Sequence, residues 1–299
     1  MDDYPNIPFE FQQQVPPRRL PRFFNKLRSD KPRLNVILFL LTCVTTFITG
    51  WVQNGYWEAG LWYGGAIISI LLAHEMGHYL MCRKYGIQAT LPFFIPFPPY
   101  INPFGTLGAV IKMESVIPSR KALFDVAVAG PLAGLALTIP AIYFGIQLSD
   151  VIDVHKAAAG GSISLGESYL FARLSEFAIG HLSENQDVLL HPLAYAGWAG
   201  LFVTALNLLP IGQLDGGHVV YALLGKSHSY VAIIAFVAFA VVALFIYPGW
   251  IFLLLLLFWF GYKHPPTMDE TPIDTKRILI GIFTLIIFAL SFTPEPFKF

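Results

Sequence analysis

Leu61-Trp-Tyr-Gly-Gly-Ala-Ile-Ile-Ser-Ile-Leu-Leu-Ala-His74-Glu75-Met76-Gly77-His78-Tyr-Leu-Met-Cys82 is an apolar run with three ionisable residues inside it. About 20 such residues cross the roughly 30 Å of hydrocarbon in a bilayer. Each ionisable group at that depth costs roughly 2.5–3.5 kcal/mol on insertion scales, so three together call for a purpose. His74 and His78 stand at i and i+4, on one helix face and about 6 Å apart along its axis. Two imidazoles so placed can grip one Zn²⁺ while the intervening Glu75 reaches a water beside it. The plainer readings are interhelical hydrogen bonding and chance. In a chain of this composition His-Glu-x-x-His arises at random less than about once in a hundred.

The rest of the composition agrees that the solvent is lipid. Of 299 residues, 55% are hydrophobic and 13% charged, and 26 are Phe; a soluble domain carries about 25% charged residues. Mean hydropathy is +0.60. The 19 basic and 19 acidic residues cancel, which leaves no broad positive field for nucleic acid. Cys43 and Cys82 lie in or beside apolar runs, against a disulfide framework or a thiolate metal site. The expected class is an all-α polytopic membrane protein.

Apolar runs place spans at Leu34–Val52, Leu61–Cys82, Ala122–Leu148, Pro192–Leu209, Tyr230–Tyr247, Gly249–Tyr262 and Ile278–Phe292. The sixth is short, so the count is six or seven, with Tyr247-Pro-Gly-Trp250 turning in the interface and its aromatics as anchors. Seven basic residues precede the first span, from Arg18 to Arg33, and none lies in Trp51–Gly60. Arg83, Lys84, Lys112, Arg120 and Lys121 follow the second span, and the segment between the third and fourth is acidic. The positive-inside rule then puts the N-terminus in the cytoplasm. The first span follows a long basic stretch and has no small-residue cleavage site, so it reads as a retained anchor. The organisation expected is a tail at 1–33, a first anchor and outer loop at 34–60, a membrane core at 61–225 and C-terminal helices at 226–299.

Two stretches break the apolar pattern. Residues 91–115 hold five prolines and then the alternating run Thr106–Glu114, which predicts a small β element on the cytoplasmic side with an edge strand. Within Asp150–His191, Leu165, Tyr169, Leu170, Leu174 and Phe177 recur at helical spacing, predicting a short amphipathic helix on the outer face.

A catalytic zinc usually takes three protein ligands and keeps a position for water. The candidates for the third are Asp125, Glu114, His218 and Asp215. Asn207-Leu-Leu-Pro210-Ile-Gly212-Gln-Leu-Asp215-Gly216-Gly217-His218 ends the fourth span, which runs from outside to inside like the second. Its Pro and Gly residues interrupt the helix, and broken backbone at membrane depth is tolerated where it lines a cavity. Asp215 is therefore preferred as the third ligand. His218 is expected nearby in a supporting role, and Asp125 and Glu114 at the cytoplasmic rim.

At these residues the chain resembles the site-2 protease family of intramembrane zinc metallopeptidases. The resemblance rests on His74-Glu-Met-Gly-His78, Gly130-Pro-Leu-Ala-Gly134 and Asn207-Leu-Leu-Pro-Ile-Gly-Gln-Leu-Asp-Gly216, and covers roughly residues 61–225. It implies that this membrane core is the catalytic part, with three helices in which His74, His78 and Asp215 ligate Zn²⁺ and Glu75 is the acid/base. Many relatives carry Asn in place of Gly134, and many insert a PDZ domain for which 149–191 is too short. The chain is thus closer to the PDZ-less bacterial and plastid branch, and a bacterial plasma membrane is the expected location.

Expected partners are the bilayer and a membrane-protein substrate with a transmembrane helix. Asn207 is a candidate for holding the substrate backbone, although an interhelical hydrogen bond would explain it as well. The Thr106–Glu114 edge offers a place for an unwound peptide to add as a strand. Two other readings remain. A secondary transporter also uses broken helices and buried carboxylates, but would show inverted repeats. A catalytically inactive zinc-binding relative would keep the same residues.

Overall fold

The computed structural model describes residues 32–113, 117–153, 164–183, 185–261 and 264–298. It is mostly helical. The first helix, α1 (Pro32–Asn54), buries three threonines, Thr42, Thr46 and Thr49. Their hydroxyls donate to the carbonyls of Leu38, Thr42 and Thr45 one turn back, at 2.8, 2.8 and 2.9 Å, so no donor is left bare against apolar neighbours. Helix α2 (Trp57–Lys84) carries the His-Glu-x-x-His pattern and packs along α1. Helix α3 (Arg120–Gln147) starts at Ser119, whose hydroxyl accepts from the Ala122 N–H.

Burial identifies the centre. The apolar window of α3 is 61% buried and that of α1 only 28%. Around α3 pack α2, α5 (Pro192–Asn207) and α6 (Asp215–Leu224). Leu71, Leu135, Ile142, Trp198 and Leu201 form the shared core.

Among the described residues, four helical stretches are long and apolar enough to cross a membrane: α1, α2, α3 and Asp215–Ile246. The last joins α6 through a tight turn at Gly225–Ser227 to α7 (His228–Val241) and a wider turn at Val242–Ile246. The apolar runs suggested six or seven spans, and the difference lies in the breaks. Helix α5 stops after 16 residues, just ahead of Pro210 and Gly212. Pro248 and Gly249 open a turn before α8 (Ile251–Phe260), which has only 10 residues. Helix α9 (Thr275–Ser291) has 17.

In the turn before α8, Tyr247 is partly exposed, whereas Trp250 is buried against protein. It stacks on Phe202 at 5.6 Å, and its indole N–H donates to the Pro294 carbonyl at 2.7 Å.

The β element at 91–115 is an antiparallel hairpin of β1 (Phe93–Pro96) and β2 (Thr106–Val110). It reaches farther than a rim element would. At its base, Asn35 donates to the carbonyls of Leu91 and Pro92. At its tip, Gln53, near the other end of α1, donates to Pro103. Tyr63 and Tyr195 donate to Phe104 and Pro103. From Asn35 to Gln53 the hairpin thus follows about 18 residues of α1, roughly 27 Å at 1.5 Å each. Strand pairing makes this possible, because it satisfies backbone groups that lipid cannot.

Between α3 and α5, β3 (Asp150–Asp153) pairs with β5 (Gln186–Leu189). Strand β4 (Ser164–Leu165) pairs with β6 (Phe297–Lys298) near the C-terminus. The expected amphipathic helix is α4 (Tyr169–Ile179), capped by Ser168. Phe171 is buried and Leu170, Leu174 and Ala178 pack on the core, while Tyr169 and Phe177 are exposed. The tail at 1–31 lies outside the described residues.

Candidate metal centre

His74, Glu75 and His78 are buried on α2, and the two histidines lie on its face that meets α3. Small residues make that contact possible. A methyl added to Gly130 would fall 2.1 Å from His78 Nε2, and one on Gly134 would lie 3.3 Å from His74 Nδ1. The two glycines of Gly130-Pro-Leu-Ala-Gly134 therefore leave the room that the two imidazoles occupy. Nearby, His78 Nδ1 lies 2.8 Å from the Val126 carbonyl. A carbonyl only accepts, so Nδ1 carries a proton, and the neutral ring then presents its Nε2 lone pair to an ion, the arrangement found behind most metal-binding histidines.

Asp215 arrives from the opposite side. Helix α5 ends at Asn207, the chain turns through 208–214 with Gly212 at φ 59°, and α6 begins at Asp215. A side chain on Gly216 would collide with the Leu208 carbonyl at 1.9 Å, so this tight re-entry requires glycine there. Asp215 thus opens a new helix rather than ending the fourth span, and the positive end of that helix favours its carboxylate. Its Oδ2 is 3.3 Å from His74 Nε2 and 3.3 Å from His78 Nε2. Among the described residues this is the one group of three whose ligand atoms could hold a metal ion. Two imidazole nitrogens and a carboxylate oxygen, with the proton of His78 directed away, are a donor set that suits zinc.

The other sequence candidates are elsewhere. Asp125 accepts from Arg277 at 2.8 Å through both oxygens and from Tyr85 at 2.5 Å, an ion pair that ties α9 to α3. Glu114 lies outside the described residues. His218 lines the same cavity of about 200 Å³ as His74, Glu75, His78 and Asp215, and its Nδ1 is 2.5 Å from His264 Nε2. Asn207 has its amide nitrogen 3.3 Å from His74 Nε2, so it belongs to the cavity and not only to helix packing. Ile111, just past β2, lines the cavity together with Glu75, and so does Ala109 of the hairpin.

The reading of the sequence missed His264 and Gln213. His264 is 46 residues from its partner in a Pro-rich loop, with no spacing to connect them. Gln213 sits inside the quoted motif and was passed over; it lines the cavity.

Residues 64–247 match the model of peptidase family M50. The chain belongs to that family, the site-2 protease family. Similar proteins include the probable chloroplastic zinc metalloprotease EGY1 of Oryza sativa subsp. japonica, 36% identical over 56% of this chain and 29% of its own. The probable chloroplastic zinc metalloprotease EGY2 of Arabidopsis thaliana is 31% identical over 79% of this chain and 42% of its own. EGY3 of Oryza sativa subsp. indica, likewise a probable chloroplastic zinc metalloprotease, is 30% identical over 76% of this chain and 41% of its own. The chain therefore spans less than half the length of these relatives. Their chloroplast location is theirs, and it lends no support to a bacterial plasma membrane or to a particular side for the N-terminus.

Proposed function

We propose that the chain is a zinc metallopeptidase that hydrolyses peptide bonds within or near transmembrane segments of other membrane proteins. His74, His78 and Asp215 hold the ion and Glu75 is the general acid/base. The observation that carries this reading is the convergence of two imidazole Nε2 atoms on one Asp215 oxygen at 3.3 Å beside a buried Glu75. Family membership and the names of the relatives support it. His78 and His74 lie five and nine residues before Arg83. If Arg83 marks the membrane border, the site is about 8–14 Å inside.

When bound, the ion supplies a Lewis acid that polarises the scissile carbonyl and makes a water easier to deprotonate. Glu75 takes the proton of the attacking water and returns one to the amine that leaves as the C–N bond breaks. Val126 fixes the His78 ring through its carbonyl. Asn207 donates its amide to the substrate backbone.

The hairpin supplies the other wall. Lys112 exchanges hydrogen bonds with Thr90, its C=O accepting from the Thr90 N–H and its N–H donating to the Thr90 hydroxyl, both at 3.0 Å. Ala109 and Ile111 of the same run line the cavity, so the edge of β2 lies beside the site. An unwound substrate adds there as a strand.

The catalytic unit of this reading is 61–225, with the N-terminus cytoplasmic and six or seven crossings once the shorter apolar helices are included. Metal analysis of detergent-purified protein after zinc reconstitution tests it. About one zinc per chain is expected in the wild type, with most of it lost in His74→Ala, His78→Ala or Asp215→Ala; wild type that takes up none contradicts the reading.

A further inference from the structure

The cavity has a wall whose polarity is set from outside it. His218 stands three residues past Asp215 on α6 and lines the cavity beside Glu75 and Asn207. Behind it, His264 Nδ1 lies 2.5 Å from the Pro265 carbonyl and His264 Nε2 lies 2.5 Å from His218 Nδ1. The carbonyl can only accept, so His264 carries its proton on Nδ1. Burial, with His218 adjacent, pushes the His264 pKa down to about 3, so the ring is neutral and its Nε2 is a bare lone pair. That lone pair must receive the proton of His218 Nδ1. A neutral His218 then has no proton on Nε2, and among the described residues Nε2 has no hydrogen-bond partner.

The relay is held rigidly. The His264 ring stacks on Tyr221 with centroids 4.3 Å apart, and its backbone N–H donates to His228 Nε2 at 3.3 Å. Tyr221 in turn donates to Glu270 at 2.5 Å. One end of a four-residue chain thus fixes which atom His218 offers to the cavity.

An unwound membrane peptide arrives with backbone N–H groups that have lost their helical carbonyl partners, and each costs several kcal/mol if it stays bare in an apolar site. The NH2 group of Asn207 can serve a peptide carbonyl but cannot accept from these donors, and its Oδ1 could accept from only some of them. We propose that His218 is a substrate-contacting residue, its Nε2 accepting a hydrogen bond from a backbone N–H of the peptide being cleaved. This inference rests on the protease reading above and names a further residue of that same site.

Two near-isosteric substitutions separate it from a purely structural role. The amide of Gln reaches the position of Nε2, and that of Asn the position of Nδ1. His218→Gln keeps an acceptor for the substrate and gives up the contact with His264. His218→Asn does the reverse. The probe is a fluorogenic single-span Leu-rich peptide with a central Asn-Pro-Gly, placed in liposomes with the full chain. Zinc content, kcat and KM are read for wild type, His218→Gln, His218→Asn and His218→Ala. Apparent affinity for the same peptide is read with each substitution on a Glu75→Gln background, where no turnover intervenes.

The expected result is full zinc in all four proteins, with affinity and kcat/KM reduced about tenfold or more in Asn and Ala and within about threefold of wild type in Gln. Tenfold corresponds to about 1.4 kcal/mol, the scale of one net hydrogen bond. Wild-type behaviour of Asn with a weak Gln variant would make His218 a brace between α6 and the 264–270 segment, and would overturn the proposal. So would equal behaviour of all three variants, or zinc loss in the Gln variant. Wild type that holds zinc but neither binds nor cuts the peptide fails at the protease reading itself and removes the basis for this one.

Discussion

Gly130 meets His78 so closely that a single added methyl has nowhere to go. Gly130→Ala is expected to displace the ring or part α2 from α3, at a cost of about 1–3 kcal/mol for overpacking, and to lower zinc content sharply. Gly134→Ala, with 3.3 Å to His74, should keep most of its zinc. Metal analysis and thermal unfolding in detergent check both, and full zinc in Gly130→Ala would show that the packing does not hold His78 in place. Glu75→Gln should behave differently from either, retaining zinc while cleavage falls by about 10²-fold or more for want of a general base. The His pair and Glu75 were legible in the sequence because three ionisable groups in one apolar run have no cheap bland explanation. Asp215 was legible through the breaks at Pro210 and Gly212 that bring a carboxylate to the same depth. His264 was not, because a loop histidine 46 residues from its partner shows no periodicity and acquires meaning only when the chain folds back.

At the scale of elements, the hairpin is the feature whose extent the sequence understated. Alternation from Thr106 marked a strand correctly, but nothing in the residues said that the loop between the strands reaches Gln53, Tyr63 and Tyr195. Those contacts come from three helices and are non-local. The same holds for α4, where the spacing of Tyr169 and Phe177 promised an apolar face but Phe171 took the core position. The hairpin's open edge gives a test. Ala109→Pro removes the N–H of a strand residue that lines the cavity, so on the proposed reading it should slow cleavage several-fold while zinc stays bound. Ile111→Pro is expected to act likewise, since Ile111 lines the same cavity. The edge plays no part if Ala109→Pro folds, holds zinc and cleaves at the wild-type rate.

For the whole molecule, composition alone identified a membrane protein, while the number of crossings depended on turns that hydropathy does not resolve. Orientation follows from cysteine labelling in a background lacking Cys43 and Cys82. Cysteines at Arg28 and Lys112 are expected to react from the cytoplasm only, and one at Asp153 from outside only; reversal at all three would invert the topology. On the proposed reading a substrate helix must unwind, since each of its carbonyls is hydrogen-bonded within its own turn, and each backbone group then exposed in lipid without a partner is costly. Replacing Gly, Pro or Asn near the cut by Leu should therefore slow cleavage with little effect on substrate insertion.

The most direct measurement of the central claim is a quantitative mass-spectrometric comparison of membrane-protein fragments in cells carrying the wild type or Glu75→Gln. At least one membrane protein should release a cytoplasmic fragment, ending within or near a transmembrane segment, with the wild type and about a hundredth as much or less with the variant. Identical fragment patterns, with both proteins inserted and both holding zinc, would contradict it.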